Sequence, residues 1–201
     1  MGLYQEGIQA YKQAIRLRPD YAEAHYNLGV AYGKLGLYQE ALQAFKQAIR
    51  LKPDDAEAHY NLGVAYGKLG LNQEALQTYK QAIRLKPDLA IAHSYLGVTY
   101  GKLGLWQEAL QAYKQAIRLK LDDADAYNHL GVAYSKLGLW QEALQAFKQA
   151  IRLKPDLAEA HYNLGVIYKL TGDSGSALEE YKILKHLNAE LANKLFNLIY
   201  K

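Results

Sequence analysis

Apolar residues return along most of this chain at spacings of three and four. Over residues 56–69 the run is Ala58, Leu62, Ala65, Tyr66 and Leu69, which places one apolar stripe on a helix. A second stripe, Ala75, Leu76, Tyr79, Ala82, Ile83 and Leu85, predicts a helix over about 73–86. Between the two, Gly70 suits the left-handed backbone that closes a helix, and Pro87, which has no amide hydrogen, stops the second. Asp54 ahead of the first helix, with Glu57 three residues on, predicts an acidic capping box. Connections this short make the two helices antiparallel.

The pair repeats. Residues 22–55 and 56–89 differ only at Tyr38/Asn72, Ala44/Thr78, Phe45/Tyr79 and Asp55/Leu89, and the frame restarts at Ala90, Ala124 and Ala158. A fixed period of 34 residues signals a solenoid, in which each unit hides its apolar face only against its neighbours. Small residues at Gly63 and Ala75 let two helix axes approach to the short end of the ~8–10 Å range, with Tyr66 and Tyr79 filling the wider spaces.

The ends depart from the repeat. Residues 1–21 read as the second half of a unit, and Met1-Gly2-Leu3 aligns with Leu35-Gly36-Leu37. Helix 3–17 is thus expected to show an unpaired apolar face, with Leu3, Ile8, Tyr11 and Ile15 available for stacking on a second copy or a foreign helix. After Lys169 the pattern loosens, and a last helix over about 190–200 carries Leu191, Leu195, Leu198 and Ile199 on one side. A polar-backed cap of that kind is what a terminal unit needs.

Composition narrows the chemistry. Half of the 201 residues are hydrophobic, which argues against disorder. With no cysteine there is no disulfide, thiolate nucleophile or zinc–thiolate site. There is no leader-like start and no run near the ~20 apolar residues of a membrane span, so a cytoplasmic chain without membrane contact is expected. The net charge of +4 raises nucleic acid as a partner. Its lysines and arginines, however, are periodic (Lys46, Arg50 and Lys52 recur as Lys80, Arg84 and Lys86), which reads as a solvated convex face.

No catalytic constellation emerges, so the chain reads as a non-enzyme without cofactor or metal. His25, His59, His93 and His161 recur once per unit, roughly 10 Å apart at helix spacing, too far to share a zinc ion that holds nitrogen at ~2.0–2.1 Å. They are expected to pack with one ring nitrogen bonded. Glu40, Glu74, Glu108 and Glu142 begin the second helices, where the helix dipole favours an anion. The Gly-Lys pairs lie inside helices and lack the spacing of a phosphate-binding loop.

The pattern Leu62-Gly63, Tyr66, Ala75, Tyr79, Ala82, Pro87 resembles the signature of the tetratricopeptide repeat (TPR), and the likeness covers essentially the whole chain. The next unit shows Leu96-Gly97, Tyr100, Ala109, Tyr113 and Ala116, with Leu121 in place of proline, which predicts a slightly longer helix there. The tryptophan common early in the family's first helix is replaced by His25, His59, His93, Tyr127 and His161. The resemblance implies an all-α, right-handed solenoid of antiparallel helix pairs. Residues 1–21 would be a half repeat, 22–55, 56–89, 90–123, 124–157 and 158–188 five repeats, and 189–201 a capping helix, all in one domain.

It also implies a concave groove, lined by the first helices, that holds a peptide or partner helix. Carried onto this sequence, that groove contains Tyr26, Asn27, Val30 and Lys34, then Tyr60, Asn61, Val64 and Lys68. Ile91, Ser94, Tyr95, Val98 and Lys102 follow, then Asn128, His129, Val132 and Lys136, and last Tyr162 and Asn163. Tyrosine offers a flat apolar ring with a polar tip, and the asparagine amide can hold a ligand's backbone. Gly33, Gly67 and Gly101 in the groove wall either give clearance to a partner or are simple copies of one duplicated unit. Ile91, Ser94, Tyr95, Asn128 and His129, where otherwise similar units differ, are the expected selectors. Partner carboxylates should meet the lysine column, although Tyr26 and Val30 replace a lysine and an asparagine of the clamp that grips heat-shock chaperone tails. The function expected is a non-catalytic interaction scaffold. The alternatives are an assembly module stacking end to end as a homo-oligomer, or a substrate-recruiting piece of a larger enzyme.

Overall fold

The computed structural model describes residues 2–120 and 122–200, and every described element is an α-helix or a turn. The chain forms two compact units, Met1–Leu103 and Gly104–Lys201. The first holds α1 (Gly2–Leu17), α2 (Ala22–Lys34), α3 (Tyr38–Leu51), α4 (Ala56–Lys68), α5 (Asn72–Leu85) and α6 (Ala90–Lys102). The second holds α7 (Trp106–Leu119), α8 (Ala124–Lys136), α9 (Trp140–Leu153), α10 (Ala158–Leu170), α11 (Ser174–Leu187) and α12 (Ala189–Ile199). Within each unit successive helices pack on one another, and first helices of neighbouring repeats also touch, α2 on α4 and α4 on α6.

The turn inside each pair is one motif. Gly36 takes φ +75°, and the amide of Leu37 donates to the carbonyl of Tyr32 at 3.0 Å, which closes the helix end. Gly70, Gly138 and Gly172 repeat the positive φ, and Leu71 and Leu139 repeat the bond. A side chain at these glycines would meet the steric penalty of left-handed backbone.

Packing across the pair depends on what a methyl group would strike. A Cβ built on Gly29 would lie 2.7 Å from the ring of Phe45, one on Gly63 2.7 Å from Tyr79, and one on Gly131 2.5 Å from Phe147. Each ring is buried, so it cannot step aside. Opposite them, Ala41, Ala75, Ala109, Ala143 and Ala177 are wholly buried. In the last pair the gap at Gly165 is filled from another direction, by Leu195 of α12. Tyr181, at the position of Phe147, packs instead on Phe196 at a centroid distance of 5.3 Å.

Several expectations need correcting. The cap of α4 is Asp55, not Asp54: its Oδ1 accepts from the amides of Glu57 (3.1 Å) and Ala58 (3.0 Å), and Glu57 stands too early to close a box. Asp123 caps α8 in the same way, whereas Leu89 and Leu157 hold the equivalent position without a side-chain bond. Helix α7 ends at Leu119, in register with α3, α5 and α9, so the loss of proline does not lengthen it; Leu121 itself lies outside the described residues, as does Met1. Ile8, Tyr11 and Ile15 are not an unpaired face: they pack on Leu28, Ala31 and Ala44. Of that set Leu3 is the one that stands exposed. Leu198 of α12 also points outward, joined by Phe196 and Tyr200, so the back of the last helix is less polar than expected.

The basic column has a second task. The ammonium groups of Lys12, Lys46, Lys80, Lys114 and Lys148 sit 5.4–5.8 Å from the ring centroids of Tyr32, Tyr66, Tyr100, Tyr134 and Tyr168 on the following first helix. Each is a cation–π contact between second helix and next first helix.

Candidate functional site

The four histidines act as loop braces. Nε2 of His25, His59, His93 and His161 bonds the carbonyl of Pro19, Pro53, Pro87 and Pro155, at 2.9–3.0 Å. Since a carbonyl only accepts, Nε2 carries the proton in each. The unit with Leu121 for proline is also the one with Tyr127 for histidine. No group of three His, Cys, Asp or Glu side chains among the described residues is placed to hold a metal ion. No described helix is long and apolar enough to cross a membrane.

His161 differs from the other three. Its Nδ1 also meets Glu180 Oε2, at 2.6 Å, with both side chains nearly buried. With Glu180 ionised, both ring nitrogens donate and the ring is the imidazolium. The Glu180 hydrogen bond accordingly raises the histidine above its ordinary range, against the opposing effect of burial.

In the first unit the expected groove residues come together. Val30, Gly33, Lys34, Tyr60, Asn61, Val64, Lys68 and Tyr95 line one hollow of about 280 Å³, with Ala41, Phe45 and Ala65 at its base. Lys34 and Lys68 make no ion pair among the described residues. Tyr60, Tyr79 and Tyr95 pack as a triangle of rings, with centroids 5.6–6.1 Å apart. Burial, helped by the neighbouring Tyr95 phenol, pushes Tyr60 above its ordinary range and keeps it neutral. Burial is the leading cause of the same rise at Tyr79, with Tyr60 and Tyr95 adding to it. Asn61 Nδ2 donates to Tyr26 Oη at 3.1 Å and to the Glu57 carbonyl at 3.0 Å, leaving Oδ1 as its spare acceptor. Burial raises Tyr26, with Glu57 and Asp55 adding to the rise.

The glycines of this wall have no packing reason. Nothing lies within 4 Å of a Cβ built on Gly33, and the nearest atom to one on Gly67 is Tyr79 Oη at 3.9 Å. Glycine inside a helix costs about 1 kcal/mol relative to alanine. Gly29 and Gly63 return that cost in ring packing, and Gly33 and Gly67 do not.

In the second unit the same positions are engaged internally. Ser135, replacing glycine, donates its hydroxyl to the Gly131 carbonyl at 2.8 Å. Lys169 donates to the Ile199 carbonyl at 2.8 Å, closing the end of α12. Asn163 Nδ2 donates to Asn128 Oδ1 at 3.0 Å, and Asn128 is buried. Lys136 lies 5.9 Å over the ring of Trp106. The His129 ring stacks on Tyr113 at 5.5 Å, and its Nδ1 has no partner among the described residues. Burial lowers His129, with Asp125 and Asp123 acting the other way. Val132 and Tyr162 are half-buried beside them, and in the first unit Ile91 is exposed while Ser94 and Val98 are half-buried. A larger hollow, of about 570 Å³, lies over Tyr127, Leu130, Tyr134, Gln141, Gln145 and Gln149. Its glutamines recur in the preceding units, and of these six only Tyr127 is peculiar to this one.

Tyr38, the first residue of α3, also lines the first unit's hollow and was not among the expected groove residues. The signal was present: Tyr38, Asn72, Trp106, Trp140 and Ser174 form one of the most varied columns of the repeat.

Antiparallel helix pairs joined by a glycine-closed turn and packed ring-on-glycine define a helical repeat of the TPR class. The chain belongs to the TPR family described as the cilia and flagella-associated protein 70 C-terminal domain, whose model matches residues 1–194. Among solved structures it is similar to MamA, at 32% identity and TM-score 0.73, covering 79% of this chain and 92% of that one. It also resembles YrrB, described as a TPR protein with an unusual peptide-binding site, at 24% identity and TM-score 0.78 over 94% and 99% of the two chains. PilF of Pseudomonas aeruginosa shares the fold at 18% identity and TM-score 0.85, over 98% and 90%. Among curated proteins, none matches the sequence.

Proposed function

We propose that the chain is a non-catalytic interaction scaffold that holds a peptide segment against the first helices α2, α4 and α6. The observation that carries this reading is the pair Gly33 and Gly67, glycines in the last turn of α2 and α4 with open space where a side chain would stand. A hollow kept clear at a cost in helix stability is what a bound chain requires. Lys34 and Lys68, without acidic partners among the described residues, supply charge for a ligand carboxylate. Val30, Val64 and Tyr60 supply apolar contact, and Asn61 Oδ1 accepts from a backbone amide. Within the fold class, YrrB is described with a peptide-binding site of its own.

Peptide-library selection on the purified chain, counter-selected against Gly33→Leu, tests the reading. The substitution has room, so the fold survives, and the leucine fills the hollow. A motif lost in the variant supports the groove. A motif that binds both proteins equally contradicts it.

A further inference from the structure

The first unit contains the same subsite twice. One hollow of about 260 Å³ is lined by Tyr4, Gly7, Tyr11, Asn27, Val30 and Ala31, together with Leu3, which has no counterpart in the other hollow. The 280 Å³ hollow described above contains Tyr38, Ala41, Phe45, Asn61, Val64 and Ala65. These six are the residues 34 positions further on, one for one, and Val30 lines both hollows. Two like subsites therefore adjoin, each with an asparagine at its edge and small residues at its base. The row is closed by Tyr95, which stands at the position of Asn27 and Asn61 and packs its ring against Tyr60 and Tyr79.

Their separation is the step from α2 to α4, which are in contact and so about 8–10 Å apart. That distance selects the ligand's conformation. A β-strand puts side chains on one face about 7 Å apart or, skipping one, about 13 Å apart, and neither fits. A polyproline-II chain has three residues per turn at about 3.1 Å each, so every third side chain faces the same way about 9 Å on. An α-helix reaches about 10.5 Å with residues seven apart. Its backbone groups, however, are already bonded to one another, and Asn27 and Asn61 would find nothing to hold. The polyproline-II backbone is open, and its docking on aromatic-lined surfaces is a recurring mode of recognition. Tyr4, Tyr11, Tyr38 and Tyr60 line this one.

We infer that the first unit reads a polyproline-II segment with two apolar side chains three residues apart, one in each subsite, and a carboxylate beside the second at Lys34 and Lys68. The inference rests on the groove reading above and adds to it the register and the backbone form of the ligand.

Fluorescein-labelled peptides on the full chain test it. Two leucines are separated by one, two or three prolines between glutamate flanks, with a single-leucine control and an alanine-rich helical peptide carrying leucines seven apart. The two-proline spacing should bind about tenfold tighter than the others, the worth of one further buried leucine. Tyr4→Ala should remove that advantage, bringing the two-proline peptide down to the affinity of the single-leucine control, and Gly33→Leu should abolish binding. Equal affinity at every spacing, all lost in Gly33→Leu, overturns the register and leaves the groove standing. Preference for the helical peptide overturns the backbone form. Binding that Gly33→Leu does not weaken overturns both the inference and the groove reading, and absence of binding by any spacing overturns the inference.

Discussion

The two units carry nearly the same sequence on their first helices and use it differently. In Met1–Leu103 the face over α2, α4 and α6 has glycines at 33 and 67 and lysines at 34 and 68 that make no ion pair among the described residues. In Gly104–Lys201 the equivalent positions are Ser135 and Lys169, each bonded to a carbonyl, and Lys136 over Trp106, whereas the asparagines do not differ, Asn61 and Asn163 each donating Nδ2 to the residue 35 positions before. A handful of substitutions thus converts a face with free polar groups and clearance into one whose groups satisfy each other. Duplication supplies the scaffold, and on the proposed reading the departures from the copy decide where a ligand can sit.

The comparison can be broken by mutation. The largest effect is expected at the ion pair peculiar to the last repeat. His161→Ala strands the nearly buried Glu180 carboxylate, and should lower the unfolding free energy of the second unit by about 3 kcal/mol, read as a shift of the denaturation midpoint. Next come the packing glycines. Gly131→Ala drives a methyl into the buried Phe147 ring and should cost about 2 kcal/mol. The clearance glycines have the opposite sign: Gly33→Ala meets nothing and should stabilise by up to about 1 kcal/mol in the same measurement. Loss of stability in Gly33→Ala would show that the glycine serves the fold.

A smaller effect concerns pH. His161 is raised in the folded state, mainly by its hydrogen bond to Glu180. The stability it contributes is full below the unfolded value of about 6.5 and is lost as pH rises through the raised folded value. Amide exchange in α10 and α11 should therefore quicken as pH climbs from 6 to 9, after correction for intrinsic rates. His161→Gln should remove the dependence, and an unchanged profile in that variant would exclude His161 as its source.

Much of this fold was legible in the sequence because its determinants are local and repeated. Apolar spacing placed the helices, the glycine turns separated them, and Gly63 opposite Tyr79 followed from the alternation of small and large residues. What was missed depends on neighbours in space. The expected binding asparagines turned out to spend their amide hydrogens on residues 35 positions away, Asn61 on Tyr26 and Asn163 on Asn128. Ile8, Tyr11 and Ile15 read from the sequence as an open face, yet the following helix α2 covers them. The lysines assigned to solvent reach back over tyrosine rings of the next helix. The two kinds of glycine look alike as letters, and only the space around each separates packing from clearance.

On the proposed reading the first unit's face is kept open for a ligand and the second's is not. The most direct measurement places the same residue in both: binding of a selected peptide to Gly33→Leu and to Ser135→Leu, with helical content checked by circular dichroism. The account predicts that Gly33→Leu abolishes binding while Ser135→Leu leaves the affinity unchanged. Equal loss in both variants, or loss only in Ser135→Leu, would contradict it.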